Sequence, residues 1–315
     1  MQAMDEEYIS TNNRFNKGIF YAFITAFMWG FLAIALKVAI RYFDSVTIVW
    51  SRFAIAFVIL LCFNQFFSRS FSLSSRLPVM GIIAGILLAA NYYSFMMGIE
   101  LTTVNNTQVL IQLGPLFLVV IGIFIFKESL NKIQSIGFGI ASIGFFLFYQ
   151  EQLNMFFHQQ ASYRIGNYWI MFSGLTWAFF AAIQKVLVRT YHPQQLNLII
   201  YGVSVVLFMH FVDFQQFLTF SLFQWSLLIY LGLNTVIAYG CLGVALKYAE
   251  ANKVSMIITL NPILTILSFL FLEKIEVTWI DPEHLDYLGY LGALFIILGV
   301  VLVVGNKKQQ LQKSK

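Results

Sequence analysis

Ten apolar stretches run through this chain, at roughly residues 18–40, 45–66, 77–99, 103–126, 132–150, 166–188, 195–217, 224–248, 252–272 and 285–305. Each is close to the ~20 residues that a helix needs to cross a bilayer. Inside hydrocarbon every backbone N–H and C=O must be satisfied within its own segment, so the stretches are read as transmembrane helices. Only 10% of the residues are charged, against about 25% in a soluble domain. Too few charges exist to clothe such a chain in water. Most connections are short, which makes neighbouring spans antiparallel and predicts one all-α integral membrane bundle. Residues 1–17 form a polar tail and residues 306–315 a basic one.

Two stretches repeat one another. Trp29-Gly30-Phe31, followed by Lys37 and Arg41, returns as Trp177-Ala178-Phe179 with Lys185 and Arg189, each 148 positions later. Asn105 with Gly114-Pro115 returns as Asn252 with Asn261-Pro262, 147 positions later. A register kept across two separate segments marks a duplicated unit. Residues 18–150 and 166–305 then hold five spans each. Five is odd, so the second copy enters the membrane upside down. This is the inverted 5+5 repeat from which transporters open alternately to either side.

Lys and Arg fix the expected orientation. Of 19 such residues, 13 fall on the side of the N-terminus, three (Arg41, Arg164, Lys274) on the other, and Lys37, Arg52 and Lys185 within spans. Both termini are therefore expected in the cytoplasm, in a multi-pass protein of a bacterial inner membrane. The net charge of +5 is a topological signal and not a nucleic-acid patch. The first stretch exceeds the ~7–15 residues of a signal-peptide core and no small-x-small cleavage site follows it, so it is expected to stay.

Polar groups at mid-membrane depth are costly unless they face the bundle interior or water. Asn105, Gln108 and Gln112 lie at i, i+3 and i+7 on one face of span 4, and Asn252, Ser255 and Thr259 take the same places in span 9. Each series ends at a proline, Pro115 or Pro262, which frees a carbonyl one turn back and bends the helix. These groups either line a cavity or bond neighbouring helices. Their duplication at equal depth favours the cavity. Trp29 and Trp177 lie about 11 residues inside their spans, too deep for an interfacial belt. They are lipid-facing bulk or cavity wall, and the small residues one turn away favour wall. Asn91 and Tyr92 in span 3, with Tyr239 in span 8, complete the expected substrate-binding set. Lys37 and Lys185, one near each mouth, either contact an anionic solute or snorkel to opposite interfaces. Arg52, about seven residues inside span 2, snorkels, pairs with Asp44 or has a function. Spans 2, 5, 7 and 10 are poorer in polar groups and are expected at the periphery.

The absences narrow the function. No Asp or Glu lies well inside a span, which argues against a proton cycle on a buried carboxylate and for exchange or uniport. His158, His192, His210 and His284 are scattered, so the zinc-hydrolase spacing is missing, and Cys62 and Cys241 form no C-x-x-C pair. No metal site, cofactor or phosphate-binding loop is expected. A membrane-embedded enzyme acting on lipid-linked substrates, and a non-transporting receptor, are the rivals from other classes.

The deep Trp opening each half, Arg52-Phe53-Ala54 in span 2, Gly114-Pro115 with Lys127-Glu128 closing span 4, and the Gly137…Gly144 and Gly292…Gly299 spacings together resemble the EamA family of the drug/metabolite transporter superfamily. The resemblance covers about residues 18–305. The second half departs from it at Glu276–Asp286, which reads as an added acidic loop. The resemblance implies a central cavity formed by spans 1, 3, 4, 6, 8 and 9, and alternating-access transport of small metabolites. An amino acid or similar zwitterion, exported or exchanged, is the leading expectation. Export of drugs or other lipophilic metabolites is the alternative. The expected partners are the solute and the bilayer, with the protein a monomer or weak homodimer. Pro115 and Pro262, with the two lysines, are the expected gating positions.

Overall fold

A computed structural model describes residues 2–67, 79–150, 161–277 and 286–305; the side chains of residues 2–14, 105 and 109 lie outside the description. Within it the regular structure is helical throughout. The first half holds α1 (Gln2–Ala39), α2 (Ser45–Phe67), α3 (Val79–Leu101), α4 (Val104–Leu110), α5 (Leu113–Phe124) and α6 (Lys132–Phe148). The second holds α7 (Ala161–Leu187), α8 (Pro193–Phe208), α9 (Leu222–Tyr248), α10 (Ala251–Ile258), α11 (Asn261–Lys274) and α12 (Tyr287–Gly305). Two short 3₁₀ turns, Met209–Phe211 and Phe214–Thr219, join α8 to α9. Among the described residues nine segments are long and apolar enough to cross a membrane, and α6, at 17 residues, is the shorter fifth span. The backbone of the expected N-terminal tail continues α1 back to Gln2. Most of the acidic loop after Glu276 (residues 278–285) lies outside the described residues, as does the basic tail after Gly305.

Local chemistry sets the ends. Asp44 accepts from the Thr47 amide and starts α2, while Asn131 with Gln134 and Ser221 with Gln224 form reciprocal capping boxes at α6 and α9. Spans 4 and 9 are each broken in two, for one reason. Pro115 and Pro262 carry no N–H for the carbonyls of Ile111 and Ile258 four residues earlier. The chain tightens there: the Gly114 amide bonds Ile111 O and the Leu260 amide bonds Ile257 O, both i−3 contacts. The expected bend is thus a full interruption, at matching places in the two halves.

The packing repeats with the halves exchanged. α1 packs on α9 and α3 on α7; α2 meets α9 and α8 meets α3; α5 lies against α7 and α11 against α1; α6 pairs with α12 and α2 with α8. Directions follow from the bonds. Thr25 and Met28 of α1 bond Ala238 and Asn234 of α9, so these helices are antiparallel. Lys37 at the end of α1 bonds Ile99 O and Thr102 O at the end of α3, so those two are parallel. Asn91 of α3 bonds Ser173 of α7, while Gly98 meets Ile170 and Gly166, so α3 and α7 are antiparallel. Hence α1 and α7 run in opposite senses. The inverted repeat inferred from an odd number of spans is the observed architecture.

The outermost pair, α6 with α12, is held by glycines. A Cβ on Gly144 would stand 2.7 Å from Gly292 O, and one on Gly292 would stand 2.4 Å from Phe148 N. Gly137 and Gly299 repeat the contact one heptad away, with 2.9 and 2.5 Å to each other's carbonyl oxygens. Where lipid tails are as apolar as leucine, such close backbone approach supplies the attraction. Exposed Phe20, Phe124, Phe146 and Val301 coat the outside, as a hydrocarbon solvent permits.

Candidate functional site

The two tryptophans of the repeat meet at the centre of the bundle. Their ring centroids lie 5.8 Å apart at 77°, an edge-to-face contact, and Trp29 makes a second such contact with Tyr239 at 5.3 Å. Tyr239 also touches Tyr92 and Phe180. Around this aromatic group lies a cavity of about 80 Å³.

Trp29, Leu32 and Ala33 of α1 form one wall, and Asn91, Tyr92 and Phe95 of α3 the next. Gln108, Ile111, Gln112 and Pro115 come from the broken span 4, with Trp177 from α7 and Tyr239 from α9. Ile258 and Asn261 flank the break in span 9, and Arg52 reaches in from α2. Leu32, Ala33 and Phe95 follow Trp29 and Tyr92 along α1 and α3. The cavity therefore extends from the tryptophans toward the end of the bundle that holds Lys37.

A chain of bonds ties the lining across the halves. Gln108 Nε2 donates to Thr265 Oγ1 (3.0 Å), which donates to Gly30 O (2.8 Å), so α4, α11 and α1 are linked. Gln112 Nε2 donates to Gln108 O at 3.2 Å. With both amide nitrogens engaged, the side-chain oxygens of Gln108 and Gln112 are left buried without a partner, as is that of Asn261. Asn91 bonds Ser173 across α3 and α7 at 2.7 Å.

Of the residues chosen from the sequence, Trp29, Asn91, Tyr92, Gln108, Gln112, Trp177, Tyr239 and Pro115 stand together in this lining. The side chain of Asn105 lies outside the description. Ser255 and Thr259 are buried but stand outside the lining, and Thr259 Oγ1 donates to Met256 O of its own helix at 2.6 Å. Pro262 also stands outside it and acts through the break it imposes, which leaves Asn261 at the cavity.

Lys37 and Lys185 are both held by groups of the protein. Lys37 Nζ donates to Ile99 O (3.0 Å) and Thr102 O (3.1 Å), and so covers the bare carbonyls ending α3. Lys185 Nζ donates to Ala249 O (2.9 Å), just beyond α9, the matching helix of its own half. Lys185 also pairs with Glu128 at 3.2 Å. Glu128 accepts from the amides of Ala251 (2.8 Å) and Asn252 (3.0 Å) at the start of α10. One carboxylate of the first half thereby binds three groups of the second, at the end of the bundle away from the cavity.

Two polar contributors to the lining were not selected from the sequence. Arg52 belongs to a span expected at the periphery, yet it is 2% exposed and lines the cavity. Asp44, the partner considered for it, is occupied at the start of α2 with Thr47. The signal was present: an arginine about two turns inside a span, with no acid on the adjacent turns, cannot be a solvated charge. Asn261 was noted only as half of a repeated dipeptide.

Two inverted five-helix halves around a small, partly polar cavity define the class as a multi-pass membrane transporter. The chain belongs to the EamA-like transporter family, whose profile matches it twice, over residues 16–150 and 164–305. It is similar to a protein of Haemophilus influenzae named an uncharacterized transporter, 31% identical over 92% of this chain and 95% of the relative. It is also similar to the Escherichia coli protein YhbE, named an uncharacterized inner membrane transporter, 28% identical over 90% of each. One solved crystal structure shares the fold, with a TM-score of 0.70 over 91% of this chain and 96% of that one at 15% identity.

Proposed function

We propose that the chain is a secondary transporter of an amino acid or similar zwitterionic metabolite, an exporter or exchanger working by alternating access in the bacterial inner membrane. The observation that carries this reading is the set of unpaired oxygens on Gln108, Gln112 and Asn261 around a cavity walled by Trp29 and Trp177. A buried acceptor without a partner is costly, and turning these side chains toward the cavity would let a protonated amine satisfy them. The tryptophans and Tyr239 offer apolar faces for the rest of the solute. The Glu128–Lys185 pair seals one end while the cavity extends toward the other, an arrangement suited to one state of an alternating cycle. The breaks at Pro115 and Pro262 are the places where the halves would bend between states. The protein would act as a monomer or weak homodimer without a cofactor. A purely lipophilic drug would leave the three oxygens unsatisfied and is the weaker reading.

Uptake of radiolabelled amino acids into proteoliposomes preloaded with the same unlabelled solute tests the proposal. Saturable counterflow of at least one amino acid supports it. Its absence across all twenty, alongside flux of lipophilic cations, would replace it with drug export.

A further inference from the structure

Arg52 is a full positive charge held in the bundle without a negative one. Among the described residues no carboxylate lies within ion-pair distance of it, and none lines the cavity. What holds it is neutral. Nε donates to Thr235 Oγ1 at 3.2 Å, and the guanidinium lies over the Tyr92 ring, 4.1 Å from its centroid. Thr235 also bonds the Tyr92 hydroxyl at 3.3 Å and, through its carbonyl, the Tyr201 hydroxyl at 3.2 Å. These contacts orient the guanidinium and leave its charge uncompensated.

A buried charge that lacks a partner is destabilising, so a chain keeps one where a ligand supplies the opposite sign. Arginine suits a planar oxyanion, since its fork of N–H groups meets both oxygens of a carboxylate. The rest of the lining restricts where that oxyanion can sit. No other residue of the lining carries a charge, so the α2 wall is the one that attracts it.

The geometry points to Arg52 as the residue that binds the carboxylate of the transported solute, and so as the residue that makes a carboxylate obligatory. This rests on the transport reading above and deepens it by assigning the acidic pole. A solute whose carboxyl is amidated, esterified or missing would leave the charge without an anionic partner.

Binding and flux separate the two claims. The full chain, purified in detergent, is followed by thermal unfolding with carboxylate–amide pairs: phenylalanine and phenylalaninamide, leucine and leucinamide, 3-phenylpropionate and its amide, isovalerate and its amide. The expected result is stabilisation by at least one carboxylate, with its amide weaker by roughly a hundredfold, as for loss of one member of a buried charge pair. Equal stabilisation by acid and amide in every binding pair overturns the assignment. So does no stabilisation by any carboxylate. Arg52→Gln should bring acid and amide to equal affinity, and Arg52→Lys should restore part of the preference. A purely structural arginine would weaken both ligands alike and leave their ratio unchanged. Carboxylate-dependent binding without counterflow would sink the transport reading and leave Arg52 assigned; counterflow indifferent to the carboxyl would do the reverse.

Discussion

Lys185 Nζ lies 3.2 Å from Glu128 Oε1, and this pair, about nine-tenths buried on each side, joins the first half of the duplication to the second. Lys185 already covers Ala249 O, and Glu128 already caps α10. Parting the two halves at that end would break the contacts of Glu128 with Lys185, Ala251 N and Asn252 N.

Glu128→Gln or Lys185→Met should therefore each destabilise the protein by about 3–5 kcal/mol, because each strands a buried charge. The double variant should recover much of that loss, since it removes both charges. Melting of the purified single and double variants in one detergent gives the coupling. Strictly additive losses would mean that the pair is not a functional unit.

Pro115→Ala and Pro262→Ala restore an N–H that could bond Ile111 O and Ile258 O four residues earlier. Each variant should let the broken span heal toward a continuous helix, with a gain in thermal stability and a fall in transport rate of tenfold or so, the behaviour of hinge residues. Hydrogen exchange at residues 111–114 and 259–261 reads the healing directly. Unchanged exchange there together with unchanged flux would show that neither break takes part in the cycle.

Trp29→Ala and Trp177→Ala should abolish measurable counterflow, because they open the wall between the halves and remove the face on which a solute packs. Trp29→Phe should keep part of it. Truncating a buried aromatic costs about 3–5 kcal/mol, so the alanine variants are judged only where the purified protein still gives a sharp melting transition. Full flux in both alanine variants would remove the tryptophans from the site.

Gly144 and Gly292 let α6 and α12 approach closely. A methyl on Gly292 would stand 2.4 Å from Phe148 N, where no flexible side chain can yield. Gly292→Ala should separate α6 from α12 and lower stability by roughly 1–3 kcal/mol, while leaving the ligand preference of the folded fraction intact because the seam lies away from the cavity. Gly139, whose added methyl would meet nothing, is the control: its alanine variant should melt as the parent does or slightly higher.

The architecture was legible because membrane physics leaves few choices. Span length, the demand for internal hydrogen bonding and an odd repeat together dictate an inverted helical bundle, and the coordinates show one. The prolines announced the breaks in spans 4 and 9, though the pattern implied a bend where the structure has an interruption. The site was legible in part. Trp29 and Trp177, Gln108 and Gln112, and Asn91, Tyr92 and Tyr239 gather at one cavity, since a polar or bulky group at mid-depth has nowhere else to go in a bilayer.

The same reasoning did not extend to partners. Duplication suggested that Ser255 and Thr259 would mirror Gln108 and Gln112. The Thr259 hydroxyl stays close to the backbone and bonds its own helix, while the longer Gln108 side chain reaches Thr265 of another helix. Lys37 and Lys185 were equivalent in sequence and do equivalent work, yet the work is capping a neighbouring helix, which depends on where α3 and α9 end. Arg52 was visible as a misplaced charge, but nothing along the chain could show that Thr235 and Tyr92, from two other helices, turn it inward.

What the residue order dictated, then, is which segments are apolar enough to enter a membrane, in what sense relative to one another, and which of their groups are costly against lipid. What folding in three dimensions settled is which of those groups answer one another and which, among the described residues, are left without a partner. Hydropathy and periodicity act within a single helix, whereas the pairing of charges and hydrogen bonds is fixed by contacts between helices far apart in the chain.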